Sequence, residues 1–141
     1  MVMESPDEIE SRIQRLNRLG ECILLDVRWL FQGTTIAMLF NYIWDSDGNV
    51  RSDLGSSECV LEVRFHGVNR FHVTNALSAS MVQNIDRINW GLSEIALMKV
   101  DGIELSDVFG DAIEFVRILV LWEGERRIEI ACRAVEFIGP E

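Results

Sequence analysis

The residues best placed to do chemistry lie in "FNYIWDSDGNVRSDL", residues 40–54, where Asp45, Asp47, Asn49 and Asp53 follow an aromatic run. Oxygen donors at alternate positions are what a calcium loop uses. With Asp45 at position 1 of an EF-hand loop, Asp47 and Asn49 fall at positions 3 and 5. The remaining positions fail. The glycine required at position 6 is Val50, with Gly48 two residues early, and the bidentate glutamate of position 12 is Ser56. Asp47-Gly48 instead has the chemistry of a tight turn with positive φ. The expectation is a structural turn and no metal site.

Other chemistry is thinly signalled. His66 and His72 would lie roughly 20 Å apart on one regular strand, too far to share a metal unless the chain bends sharply at Gly67. An enzyme would need one of them to meet carboxylates such as Asp45, Asp47 or Asp53. No serine stands in a nucleophile elbow, and the ten glycines form no phosphate loop. Cys22, Cys59 and Cys132 are too widely spaced for a zinc pattern, and each sits among apolar neighbours as a small buried hydrophobe would. No cofactor is implied.

One segment stands out by charge. "DGIELSDVFGDAIE", residues 101–114, carries Asp101, Glu104, Asp107, Asp111 and Glu114 with no basic residue. Ile103, Leu105, Val108 and Phe109 interleave them. The plain reading is a solvated acidic loop over a small apolar cluster. The sharper one is a partner-binding face of Asp101, Glu104, Asp107, Phe109 and Asp111, with acids orienting the partner and Phe109 as anchor.

These residues need a frame, and hydrophobic periodicity supplies one. Ser5-Pro6-Asp7-Glu8 reads as a helix start with a capping box, followed by the stripe Ile9, Ile13, Leu16 and Leu19 and a stop at Gly20. Arg12, Arg15 and Arg18 read as a solvated face. From Glu21 the period becomes two. Ile23, Leu25, Val27, Trp29 and Phe31 share one strand face, and Gln32-Gly33 makes a turn. Thr34–Trp44 is apolar on both faces, so it should be covered on both sides. Leu61, Val63 and Phe65 point inward between Glu62 and Arg64. A shorter strand follows near Val68–Val73. Asn75 can cap a helix with the stripe Leu77, Met81, Ile85 and Ile88, and extended chain returns near Ser93–Val100. "IEFVRILVLW" and "RRIEIACRAVEF" form a hairpin about Glu123-Gly124-Glu125. A three-residue loop sets Val120 against Ile128, Ile118 against Ile130 and Val116 against Cys132.

The expected fold is therefore α+β and mainly β. It is a curved antiparallel sheet or sandwich of about seven strands with an N-terminal helix and one mid-chain helix, in a single domain of residues 1–141. Trp44 and Trp122 fall at strand ends beside turns, where they close a sheet core or line the mouth of a cavity.

Apolar residues make up 48% of the chain and charged residues 26%, the balance of a globular protein. Thirteen basic against 23 acidic residues give a net charge of −10. That argues against a nucleic-acid partner and permits a basic protein partner. No run approaches the roughly 20 apolar residues of a membrane span. The opening "MVMESPDEIE" is acidic where a signal peptide is basic and then apolar, so a cytoplasmic location is expected.

The opening helix, the long alternating strands, "FNYIWD", "VLEVRF" and the short mid-chain helix resemble small bacterial proteins that include the immunity-type proteins of polymorphic toxin systems. That resemblance implies a cytoplasmic, non-enzymatic, acidic protein that binds a toxin domain, and it carries over no individual residues. The leading expectation is accordingly a non-enzymatic acidic binding protein, immunity- or inhibitor-like. A small-ligand module with an aromatic-lined pocket built from Ile36–Trp44 and Trp122 is the alternative, and an enzyme the third reading.

Overall fold

The computed structural model describes residues 1–51, 59–87, 95–107, 109–122 and 126–139. Two four-stranded antiparallel sheets face each other. One has the order β1 (Ile23–Leu30), β2 (Thr35–Asn41), β3 (Val60–His66), β8 (Ala134–Ile138). The other has the order β4 (Arg70–Thr74), β7 (Arg127–Cys132), β6 (Ile113–Trp122), β5 (Ile95–Ser106). Helix α1 (Pro6–Arg15) precedes them, and the short α2 (Ala79–Gln83) sits mid-chain. The eighth strand arises because the last alternating run, expected as one strand, breaks at Arg133 into β7 and β8.

The sheets are two halves of one folded ladder. β3 pairs with β8 up to His66↔Ala134, and β4 resumes against β7 at Arg70↔Ala131. Between them the chain turns a corner on both strands at once, held by Arg133 N–H donating to the His66 carbonyl at 2.9 Å and Asn69 N–H to the Ala131 carbonyl at 2.8 Å. Strands that switch sheets at a bend are the usual way such corners form. Gly67 makes this one possible. Its φ is +65°, and a Cβ there would stand 2.8 Å from Arg133 Cγ.

Between the sheets lies the core. Ile36, Met38 and Phe40 of β2, Leu61, Val63 and Phe65 of β3, Val116, Ile118 and Val120 of β6, and Ile130 and Cys132 of β7 are all fully buried. The β6–β7 register is the one that the apolar pattern requires, with Val120↔Ile128, Ile118↔Ile130 and Val116↔Cys132. The loop residues Glu123, Gly124 and Glu125 lie outside the described residues, as do Ile88, Trp90, Ser93 and Val108. The outer face of β2 is covered in part, with Thr35 and Ala37 buried. Ala37 lies between Arg28 and Arg64, whose aliphatic stems can shelter a small residue.

Helix α1 closes one side of the sandwich. Ile9, Ile13 and Leu19 are fully buried. Charged side chains of α1 and of the residues flanking it, Glu4 and Arg18, reach the backbones of two edge strands. Glu10 accepts from Val100 N–H of β5 at 2.8 Å, and Arg18 reaches the Met98 carbonyl at 3.5 Å. Arg12 donates to the Val135 carbonyl of β8 at 2.8 Å, while Glu4 accepts from Val135 N–H at 2.7 Å. Glu4 pairs with Arg12, and Glu10 with Arg18. Arg12 and Arg18 are thus edge-strand partners, where the sequence suggested a solvated face.

Several local expectations are corrected. Ser5 sits at the N-cap of α1 without a side-chain bond, so the capping box is not formed; Pro6 at the first helical turn fits the start without one. The capping box belongs instead to Ser78 and Met81 at α2, and Asn75 lies upstream of that cap. The α2 segment is exposed and does not bury the expected stripe, since Leu77 and Ile85 face solvent. In β1, a bulge between Leu24 and Asp26 shifts the face. Leu24 is buried in place of Leu25, and Trp29 and Phe31 are largely exposed.

Two outcomes follow for stability. Gly67→Ala should cost about 1–3 kcal/mol in urea denaturation, because both the left-handed backbone and the Arg133 contact oppose a Cβ. The second concerns acid. Burial alone would raise the Glu10 carboxyl, but the Val100 N–H and Arg18 outweigh it and hold the group below its ordinary value. The folded state therefore takes up this proton less readily than the unfolded state. Its stabilisation is complete above the ordinary carboxylate range and is lost as pH falls through it. Glu10→Gln should cost about 1–2 kcal/mol at neutral pH. That deficit should shrink as denaturation is repeated toward about pH 3.

Candidate functional site

The acidic segment 101–114 is mostly strand and only partly loop. β5 runs on to Ser106 through a bulge between Val100 and Ile103, where Gly102 takes φ +90°. Between Ser106 and Ile113 the strands change direction, with Gly110 at φ +86° and its N–H donating to the Asp107 carbonyl at 2.9 Å. β6 then starts at Ile113, paired with Ser106. Alternation sets Glu104, Ser106, Ile113 and Phe115 on the outer face of this sheet, opposite the buried Val116.

This geometry divides the five acids into two groups. Glu104 accepts a fork from Arg70 of β4, with Nε at 3.1 Å and Nη2 at 2.7 Å, and Asp101 pairs with Arg117 at 3.4 Å. Arg117 also reaches Glu129 at 3.3 Å. Asp107, Asp111 and Glu114 are exposed and form no ion pair among the described residues. Phe109, between Asp107 and Asp111 in the chain, is 95% exposed. Phe109, Asp111, Ser106, Ile113, Phe115 and Asn69 of the β3–β4 corner together line a concavity of about 380 Å³. Asn69 was not legible as a member, because the corner that carries it is set beside this hairpin only by the folded ladder, and Phe115 lies just past the acidic segment on β6.

The outer face of the same sheet carries an ionic network. Glu129 stands at its centre, 3.2 Å from His72 and near Arg117 and Arg127. Burial opposes its charge, but the His72 hydrogen bond and the nearby Arg70 and Arg127 outweigh this and lower the Glu129 carboxyl. The Glu104 fork raises Arg70 further above its ordinary value. His66 lies on the other sheet, 2.9 Å from Glu136 and 3.3 Å from Thr35 Oγ1. The two histidines therefore bind separate carboxylates, and neither meets Asp45 or Asp47. Asp53 and Ser56 lie outside the described residues.

The three cysteines are buried and form no disulfide with one another. Burial pushes the Cys22 thiol up to about 11 and the Cys132 thiol up to about 12. Neither carries thiolate at neutral pH, as expected of small core residues. The aromatic face of β2 also belongs to the core. Trp44 closes its end, donating from Nε1 to the Gly20 carbonyl at 2.8 Å.

No protein-family model matches this chain, and no curated protein matches it. The chain is similar in fold to a solved structure. That structure is an uncharacterized protein from Neisseria gonorrhoeae, similar at 14% sequence identity with a TM-score of 0.50, over 85% of this chain and 92% of that one. Among the described residues no helix is long and apolar enough to cross a membrane.

The Asp45 segment is a turn. Trp44 bridges Val50, Asp45 N–H donates to the Asn49 carbonyl at 2.7 Å, and Gly48 takes φ +81°. Asp45 Oδ1 accepts from both Asp47 N–H and Asn49 N–H at 2.9 Å, so the carboxylate organises its own loop. A calcium site of micromolar affinity would add about 4 kcal/mol at millimolar calcium. Thermal denaturation should show no rise beyond that given by magnesium. A calcium-specific rise abolished by Asp47→Ala would restore the metal site.

Proposed function

We propose that this chain is a non-enzymatic binding protein whose β5–β6 hairpin tip engages a basic protein partner. In this it acts like the immunity- or inhibitor-type proteins it resembles in size, acidity and layout. One observation carries the reading. The chain neutralises Asp101 and Glu104 internally but leaves Asp107 and Asp111, which flank a nearly fully exposed Phe109 in the chain, without an ion pair among the described residues. Phenylalanine is enriched in interface cores, and an exposed ring next to unpaired carboxylates offers an anchor and a charge together. The carboxylates would steer a cationic partner and the ring would hold it. A net charge of −10 disfavours nucleic acid as the partner. Three buried cysteines with no disulfide among them fit the cytoplasm as the compartment.

Affinity capture from the host at low salt tests this. Wild-type protein should retain a basic protein, with retention falling as salt rises. Phe109→Ala and the double variant Asp107→Lys/Asp111→Lys should lose it. Asp47→Lys/Asp86→Lys, which changes net charge equally at exposed positions elsewhere, should keep it. Failure to retain any protein, or retention indifferent to Phe109, Asp107 and Asp111, would overturn the reading.

A further inference from the structure

The concavity beside Phe109 has a more specific chemistry than acidity. An aromatic residue, Phe109, and a carboxylate residue, Asp111, are both among its lining. Ser106 and Asn69 add neutral acceptor oxygens, and Ile113 and Phe115 give an apolar floor. A cation entering it would need to shed water against ring and aliphatic carbon while keeping a carboxylate contact. An ammonium is compact and strongly hydrated. A guanidinium is planar and weakly hydrated, lies flat on an aromatic face and presents a fork to a carboxylate.

The same outer face already holds two guanidinium groups in these two ways. Arg70 forks onto Glu104 at 3.1 and 2.7 Å. Arg133 lies over the Phe115 ring, 5.9 Å from its centroid, anchored on the Glu114 and Met1 carbonyls. Phe109 and Asp111 provide the same two elements, ring and carboxylate. Among the described residues neither has a cation of the chain's own. We propose that this hollow receives an arginine side chain of the partner, its guanidinium between Phe109 and Asp111 and its stem along Ile113. The inference rests on the binding-protein reading and names the residue that the hairpin tip selects.

The test is amide chemical-shift titration of the full chain with three capped tripeptides, Gly-Arg-Gly, Gly-Lys-Gly and Gly-citrulline-Gly. The arginine peptide should give saturable shifts centred on Ser106, Phe109, Asp111 and Ile113. Its affinity should exceed that of the lysine peptide by about threefold or more. Citrulline, which keeps the shape without the charge, should leave those amides unmoved. Phe109→Leu and Asp111→Asn should each weaken the arginine peptide at least about threefold, with all other amides unchanged. Absence of saturable shifts at the hollow, or equal response to arginine and lysine, overturns the arginine assignment. If partner capture then still depends on Phe109 and Asp107, the hairpin reading stands alone; if capture also fails, both fall.

Discussion

The corner at Gly67 and Arg133 is the constraint on which the rest of the molecule depends. A β-ladder has one continuous hydrogen-bonding edge, and here it is bent so that its two halves face each other. The bend must occur at the same level on both strands or the ladder would lose register. Gly67 supplies a left-handed backbone on one strand, and Arg133 interrupts the other. The Arg133–His66 and Asn69–Ala131 bonds keep backbone groups satisfied through the corner. Everything buried between the sheets, from Phe65 and Val63 on one side to Ile130 and Cys132 on the other, is brought together by that fold.

A bent ladder leaves edges, and the two sides of the sandwich treat them differently. On the α1 side, β5 and β8 are both edge strands, and side chains serve where a neighbouring strand would. Val135 has its N–H held by Glu4 and its carbonyl by Arg12, while Val100 N–H is held by Glu10. Charged groups partly shielded from water make stronger hydrogen bonds than neutral ones, and each is paired with its opposite. On the other side β1 and β4 approach through an edge-to-face contact of Trp29 with Phe71, 5.5 Å between centroids. The bulge in β1 and the charged pair Asp26 and Arg28 disfavour further strand pairing along that edge.

What the sequence made legible follows from the range of each interaction. The β6–β7 register could be read because only one pairing sets apolar residues together on the inner face. The inward set of β3 and the turn at Asp47-Gly48 were legible for equally local reasons. The bulge in β1 was not, because Leu24 and Leu25 are both apolar and either satisfies an alternating pattern. The roles of Arg12 and Arg18 were hidden as well. An arginine on a helix looks the same whether it faces water or a carbonyl contributed by a strand far along the chain. The site shows the same division. The density of acids in 101–114 was visible, and so was Phe109. The split into Asp101 and Glu104, bound to Arg117 and Arg70, and the remaining acids depends on strand order.

The bent ladder also governs how the chain must find itself. β1, β2 and β3 form a meander of sequence neighbours, and so do β5, β6 and β7; each of their pairings closes a smaller loop than the ladder that joins them. The ladder that joins these two meanders sets His66 against Ala134, a closure of about 70 residues and the one with the largest entropic cost among the strand pairings. The strand pairings of greatest sequence separation are thus gathered in one seam, while the helix-side bonds from Glu4, Glu10 and Arg12 span still longer stretches of chain.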